Sequence, residues 1–308
     1  MRVARVIPRH SRDALMNKNR KIWIGVGAFI LVGSAGSSSV PAVAANDQAA
    51  RPTKSNAHEG MSADLRQRIL AQALTVGQGG EGGEGGEGGE GGINVEAAAK
   101  DPVEYGVALQ VIAAHYYAGL AAYQGKEQEA GAQMFAHGLS EIYVAMEEVF
   151  KTLGVTGLGA RLEAAVAAAA EKKPVADVTR RANAVFAALA AAEKKAPKSK
   201  LPAQAVRAKI AAELTDRAAA QYVVIQKDDS LEAYLDGLGF AMAARAEAKD
   251  ALPYLKKIDP RKEAVLRKAV ALGGQAYPGI KRPDKPKVSM ADFQSAASAA
   301  KLAVSNLP

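Results

Sequence analysis

From residue 101 to the C-terminus, apolar residues recur every three or four positions and hardly ever alternate with polar ones. That period belongs to a helix, because a half-buried strand repeats every second residue. Alanine, the strongest helix former, dominates these stretches, and runs of β-branched residues are rare. Helix starts are marked as well. Asp101-Pro102-Val103-Glu104 offers an N-cap, a proline at the first helical position and a capping-box glutamate. Asp229-Ser230-Leu231-Glu232 and Ser289-Met290-Ala291-Asp292 repeat that logic, and Asp259-Pro260 opens another helix. Gly125 and Gly154 stand where helices should stop. The pattern predicts helices near residues 102–124, 127–151, 157–172, 175–194, 203–226, 230–251, 261–276 and 290–305. Short connections imply antiparallel neighbours. The expected fold is therefore all-α, an up-and-down antiparallel helical bundle. The stretch "APKSKLPAQ" at 196–204 marks where two four-helix halves would divide.

The pattern upstream is different. Residues 1–45 hold a basic run at Lys18, Arg20 and Lys21, then "IWIGVGAFILV" from Ile22, then small residues ending in "PAVAA". That order describes a secretory signal peptide, with Ala42-Val43-Ala44 as the cleavage site. The apolar run falls well short of the about 20 residues that span a bilayer. Met16 is an alternative start, and an uncleaved amphipathic anchor is the competing reading. Residues 46–76 are polar, with one short helix expected at 62–76. "GQGGEGGEGGEGGEGG" at 77–92 reads as a flexible linker, since two glycines in three leave too much conformational freedom for regular structure. The bundle domain then spans 93–308.

Processing changes the charge argument. Seven of the 40 Lys and Arg and one of the 32 Asp and Glu lie in residues 1–45. The remainder has 33 bases and 31 acids, a net of +2 in place of the full chain's +8. The basic balance thus sits largely in the leader and does not point to nucleic acid, which asks for a basic footprint on the folded domain. There is no cysteine, so thiolate catalysis, zinc–thiolate and iron–sulfur sites are excluded.

Of four histidines, His10 lies in the leader and His58 in the polar segment. His115 and His137 fall on consecutive predicted helices. His115 shares a face with Ala108, Val111, Ile112 and Gly119, so it should point inward. His137 and Glu141 are four apart and lie one above the other. Two imidazoles and a carboxylate converging in a bundle make a plausible divalent-metal site. Against it stand a merely hydrogen-bonded core histidine and a helix-surface His–Glu contact. Asp236 is a further candidate ligand, weighed against a buried ion pair with Arg245. Glu104 and Glu232 read as capping residues. Affinity would fall with acid as the imidazoles protonate, around pH 6.5 for unperturbed groups. No nucleophile-elbow, phosphate-loop or dinucleotide signature occurs, which favours a non-enzymatic role.

His115 followed by Gly119, "FAHGLSEIY" with His137 and Glu141, and "AYLDGLGFAMAARA" together resemble patterns of imelysin-like proteins and the related EfeO-type periplasmic iron-uptake components. The resemblance covers about residues 101–278. It implies an exported bundle of two four-helix halves that handles metal, chiefly iron, with His115, His137 and Glu141 as ligands. The family motif is His-x-x-Glu, whereas this chain has His-x-x-x-Glu.

Two functions follow as expectations. One is a periplasmic protein that binds a divalent metal ion, iron or zinc, through His115, His137, Glu141 and Asp236, in metal uptake or delivery to an envelope transporter or protein partner. The other is a structural or interaction module of the envelope without a metal site. The leader reading predicts a mature chain that begins near Ala45 or Asn46. N-terminal sequencing of the exported product checks it, and a membrane-bound product retaining Ile22 onward would overturn it.

Overall fold

The computed structural model describes residues 92–308, all within one compact unit. The leader, the helix expected at 62–76 and the Gly/Glu repeat up to residue 91 lie outside the described residues. The described chain is helical, with no strand among the described residues. Its helices are α1 (Val95–Ala98), α2 (Pro102–Gln124), α3 (Gln128–His137), α4 (Val144–Thr152), α5 (Leu158–Ala170), α6 (Val175–Glu193), α7 (Ala203–Val224), α8 (Leu231–Ile258), α9 (Pro260–Ala276) and α10 (Met290–Ser305). A π-helical segment, Gly138–Tyr143, runs between α3 and α4. Packing begins upstream of α1, for Ile93 is 5% exposed and the Arg217 guanidinium donates to the Gly92 carbonyl at 2.8 Å.

The N-caps act as the sequence indicates, with one shift, but Glu104 closes no capping box, because the Asp101 amide donates to the Ala97 carbonyl at 2.8 Å. Asp101 accepts from the Val103 amide at 2.6 Å, and Ser289 accepts from the Asp292 amide at 3.3 Å. Asp259 accepts from the Arg261 amide at 3.0 Å. Before α8, however, Ser230 is the cap, accepting from Ala233 at 3.3 Å, and not Asp229. That puts Glu232 at the second helical position, one short of the place from which a capping-box glutamate reaches back.

Helix α8 also runs seven residues past its expected end, through Pro253. A proline ring there removes the bond to the carbonyl of Lys249, which lies on the exposed face where water can satisfy it. Ala251 and Leu255 are fully buried and hold this last stretch in place.

The helices form two four-membered rings. In the first, α2 packs on α3 and α6, and α5 closes the ring by packing on both α3 and α6. In the second, α7 packs on α8 and α10, with α9 between them. Helix α2 joins the rings by packing on both α7 and α8. It is pinned to the first ring by three buried tyrosines. Tyr105, Tyr116 and Tyr123 donate to the carbonyls of Ala192, Leu162 and Lys173. A second, smaller core lies among α7–α10 and is built mainly of alanines.

A buried ion cluster closes one point of the seam between the rings. Arg207 of α7 donates to both Glu247 oxygens, at 3.2 and 3.0 Å, and to Glu193 of α6. Glu247 is only 3% exposed, and burial pushes its carboxyl up against the pull of Arg207.

Glycine lets the site-bearing helices approach closely. A β-carbon at Gly131 would lie 2.7 Å from the Gly119 carbonyl oxygen, where α3 meets α2. One at Gly239 would lie 2.4 Å from the Ala114 carbonyl oxygen, where α8 meets α2. Both obstacles are backbone, so the helices themselves must move. Gly239→Ala should therefore destabilise the fold by about 1–3 kcal/mol, the usual range for overpacking. Urea unfolding against wild type measures it, and an unchanged midpoint would show that α2 and α8 can separate freely.

Candidate metal centre

Three helical segments bring the site residues together. His115 sits midway along α2 and is 6% exposed. Its Nδ1 lies 2.8 Å from the Val111 carbonyl oxygen one turn earlier. A carbonyl only accepts, so Nδ1 carries the proton and Nε2 keeps its lone pair. That Nε2 faces Asp236 Oδ1 of α8 at 3.7 Å, too long for a hydrogen bond. The Asp236 side chain is 21% exposed overall, yet its Oδ1 is fully enclosed and has no hydrogen-bond partner.

His137 ends α3 and is 9% exposed, and its ring centroid lies 6.1 Å from that of His115 at an interplanar angle of 76°. Its Nδ1 is 3.7 Å from Glu141 Oε1, and its Nε2 is 3.5 Å from Glu232 Oε1. Glu141 lies within the π segment that starts at the next residue, Gly138. One ligand atom from each of His115, His137 and Glu141 lies within 4.8 Å of the other two. Phe240 covers His115 from α8, with ring centroids 6.3 Å apart.

The electrostatics follow from this placement. Burial lowers the His115 imidazole to about 4, outweighing the Val111 bond, and nearby His137 adds to the effect. His115 is thus neutral well below the pH 6.5 expected of a free imidazole. Burial pushes the Asp236 carboxyl well above the usual range, and Glu141 and Glu232 push it further. Neither Asp236 nor Glu232 has a lysine or arginine partner among the described residues. With Asp236 ionised, His115 Nε2 and Asp236 Oδ1 face each other as two acceptors with no donor between them, whereas a neutral Asp236 could carry its proton on Oδ1. Leaving such groups unpaired costs about 1–3 kcal/mol each, and a cation satisfies both.

Comparison with protein-family models, curated proteins and solved structures finds no match. The chemistry of the site must be argued from its own residues.

The structure brings His115, His137 and Glu141 together, the three residues read from spacing, and sets Asp236 against His115. It corrects two other readings. Asp236 makes no ion pair with Arg245, which is exposed. Nine residues on one helix is two and a half turns, so the two side chains leave opposite faces. Glu232 does not serve as a capping glutamate and turns to His137 instead. Its signal was present in the sequence, because Glu232 and Asp236 are four apart, the same spacing as His137 and Glu141.

The shift at His115 makes a pH prediction. The unfolded imidazole protonates near 6.5 and the folded one near 4, so the unfolded state binds more protons between those values. The stability from this group is complete above about pH 6.5 and is lost as pH falls towards 4. For this shift the loss is about 3 kcal/mol. Urea unfolding of chelator-treated protein at pH 7 and pH 4.5 should show a smaller acid loss in His115→Gln than in wild type. Equal losses in the two proteins would show that His115 titrates normally.

Proposed function

We propose that this protein binds a divalent cation, iron first and zinc second, through His115, His137, Glu141 and Asp236, and serves metal uptake or delivery outside the cytoplasm. The observation that carries the reading is the enclosed, unpartnered Asp236 Oδ1 facing the His115 Nε2 lone pair at 3.7 Å, beside His137 and Glu141. Nitrogen and oxygen donors bind such ions at about 2.0–2.2 Å, which puts neighbouring donors roughly 3 Å apart. His115–Asp236 and His137–Glu141 are each 3.7 Å apart and the ligand atoms of His115, His137 and Glu141 lie within 4.8 Å of one another, so closing on an ion takes a contraction of up to about 2 Å. The donor set suits the metal. Two imidazoles and two carboxylates form a nitrogen–oxygen set that suits ferrous iron and zinc alike, and the order between them follows the resemblance.

The imelysin-like resemblance supports the same reading, and the π segment bears on its one departure. A π turn closes its ring one residue later than an α turn, so it absorbs one extra residue. The added residue in His-x-x-x-Glu falls within Gly138–Tyr143, and His137 still faces Glu141. Binding and hand-over, without catalysis, is the role we assign, with an envelope transporter or protein as recipient. The leader expected at residues 1–45 supports a periplasmic setting for that role.

Thermal melts of wild type, His115→Ala and His137→Ala, with and without ferrous iron, zinc or copper, test the reading. A ligand that binds only the native state at a hundredfold excess over Kd adds about 2.7 kcal/mol. For a folded unit of this size that is roughly a 5–10 °C rise in Tm. Wild type should show the rise and both variants should lose it. If no metal shifts wild type, or both variants keep the shift, the metal reading fails and the interaction module takes its place.

A further inference from the structure

We infer that Glu232 is a positioning residue for this site: it holds His137 in the tautomer protonated at Nε2, so that Nδ1 is the nitrogen offered to the cation. The inference rests on the metal-binding reading above. A neutral imidazole carries one N–H and one lone pair, and the groups facing its two nitrogens decide which is which. For His115 the Val111 carbonyl decides, leaving Nε2 free on the side of Asp236. His137 is different, because a carboxylate faces each nitrogen: Glu141 at Nδ1 and Glu232 at Nε2.

Three observations break that tie. Glu232 is the nearer of the two carboxylates, at 3.5 Å against 3.7 Å. Glu141 belongs to the group whose ligand atoms converge with those of His115 and His137, a group that contains neither Glu232 nor Asp236. Glu232 stands at the rim, with its side chain 37% exposed, so it can close the remaining few tenths of an ångström to hydrogen-bond distance. With the proton on Nε2, the lone pair of His137 sits on Nδ1, the nitrogen 3.7 Å from Glu141 of the converging group. With the proton on Nδ1, the N–H would aim at Glu141 and the lone pair at Glu232, and the donors would diverge. A carboxylate on the far nitrogen of a ligating histidine fixes the ring and raises its basicity, and losing it typically costs 10–100-fold in metal affinity.

Long-range proton–nitrogen NMR correlations of the imidazoles, recorded at pH 8 on the chelator-treated full chain, read the tautomers without any metal. Wild type should show His115 protonated at Nδ1 and His137 at Nε2. In Glu232→Leu, His137 should move to the Nδ1 form or to a mixture while His115 stays unchanged, and zinc affinity should fall 10–100-fold. A packing defect alone would not move one tautomer and leave the other. Wild type that binds zinc with His137 protonated at Nδ1 overturns the role of Glu232 while leaving the metal reading intact. So does a Leu variant with unchanged tautomer and zinc affinity. Wild type that binds neither zinc nor ferrous iron overturns the metal reading and, with it, any positioning role. Should Glu232→Leu lose its helical circular dichroism, the wild-type tautomer decides by itself.

Discussion

The site depends on how closely α2 is approached from two sides. At Gly131 and Gly119, α3 comes near enough that a single β-carbon would meet backbone, and at Gly239 α8 does the same against Ala114. Bulky residues there would spread the axes towards the 8–10 Å of ordinary helix packing. The polar side chains can meet only because those axes are close: His115 lies between the two approaches, one position from Ala114 and four from Gly119. The alanine-rich composition extends the same economy of side-chain volume into the second core, where alanines on α7, α8, α9 and α10 fill the interior.

Much of this was legible before any coordinates. Caps such as Asp101 and Ser289 and prolines such as Pro102 act locally, so they set helix starts to within a residue. His115 was legible as inward-facing because its apolar neighbours recur at helical spacing. The misses have separate causes, and only at Pro253 did tertiary packing override a local rule. Pro253 should stop a helix, but Leu255 is anchored in the second core and the freed carbonyl faces solvent. Glu232 looked like a cap because Asp229 and Ser230 are both good N-cap residues, and choosing between them moves the glutamate from one role to another. The Asp236–Arg245 pairing failed on counting alone, since nine residues separate opposite helix faces.

The π segment carries the hardest lesson. Nothing in "HGLSEIY" marks a wide turn, because local propensity barely separates an i→i+5 ring from an i→i+4 one. A β-carbon at Gly138 would lie 3.3 Å from the Tyr116 ring and 3.4 Å from the His115 β-carbon, so a side chain there would crowd α2 just before the turn that presents Glu141 to His137. An irregular turn at that position is more informative than its length suggests, since such bulges cluster where geometry serves a site.

The seam between the two rings carries two acidic clusters, each built around one carboxylate of α8, and the contrast between them is the strongest argument for a cation. Glu247 and Asp236 are 11 residues apart, about 16 Å along the helix. At Glu247, a second carboxylate comes from the first ring, Glu193, and Arg207 lies between them, giving hydrogen bonds to both. At Asp236, Glu141 comes from the first ring and Glu232 from α8 itself, yet the nearest partners are two imidazoles, one of them held neutral by burial. Removing the cation from a buried pair typically costs 3–5 kcal/mol, so Arg207 cannot be spared at the first cluster. The second cluster has more carboxylates and no guanidinium or ammonium on Asp236 or Glu232. Protonating Asp236 lessens the repulsion, and a proton on Oδ1 would face the His115 lone pair at 3.7 Å, still too long for a hydrogen bond. A divalent ion held by ligands from α2, α3 and α8 would do for this cluster what Arg207 does for the other. It would also tie the first ring to the second, so that metal binding and the docking of the two rings become a single equilibrium.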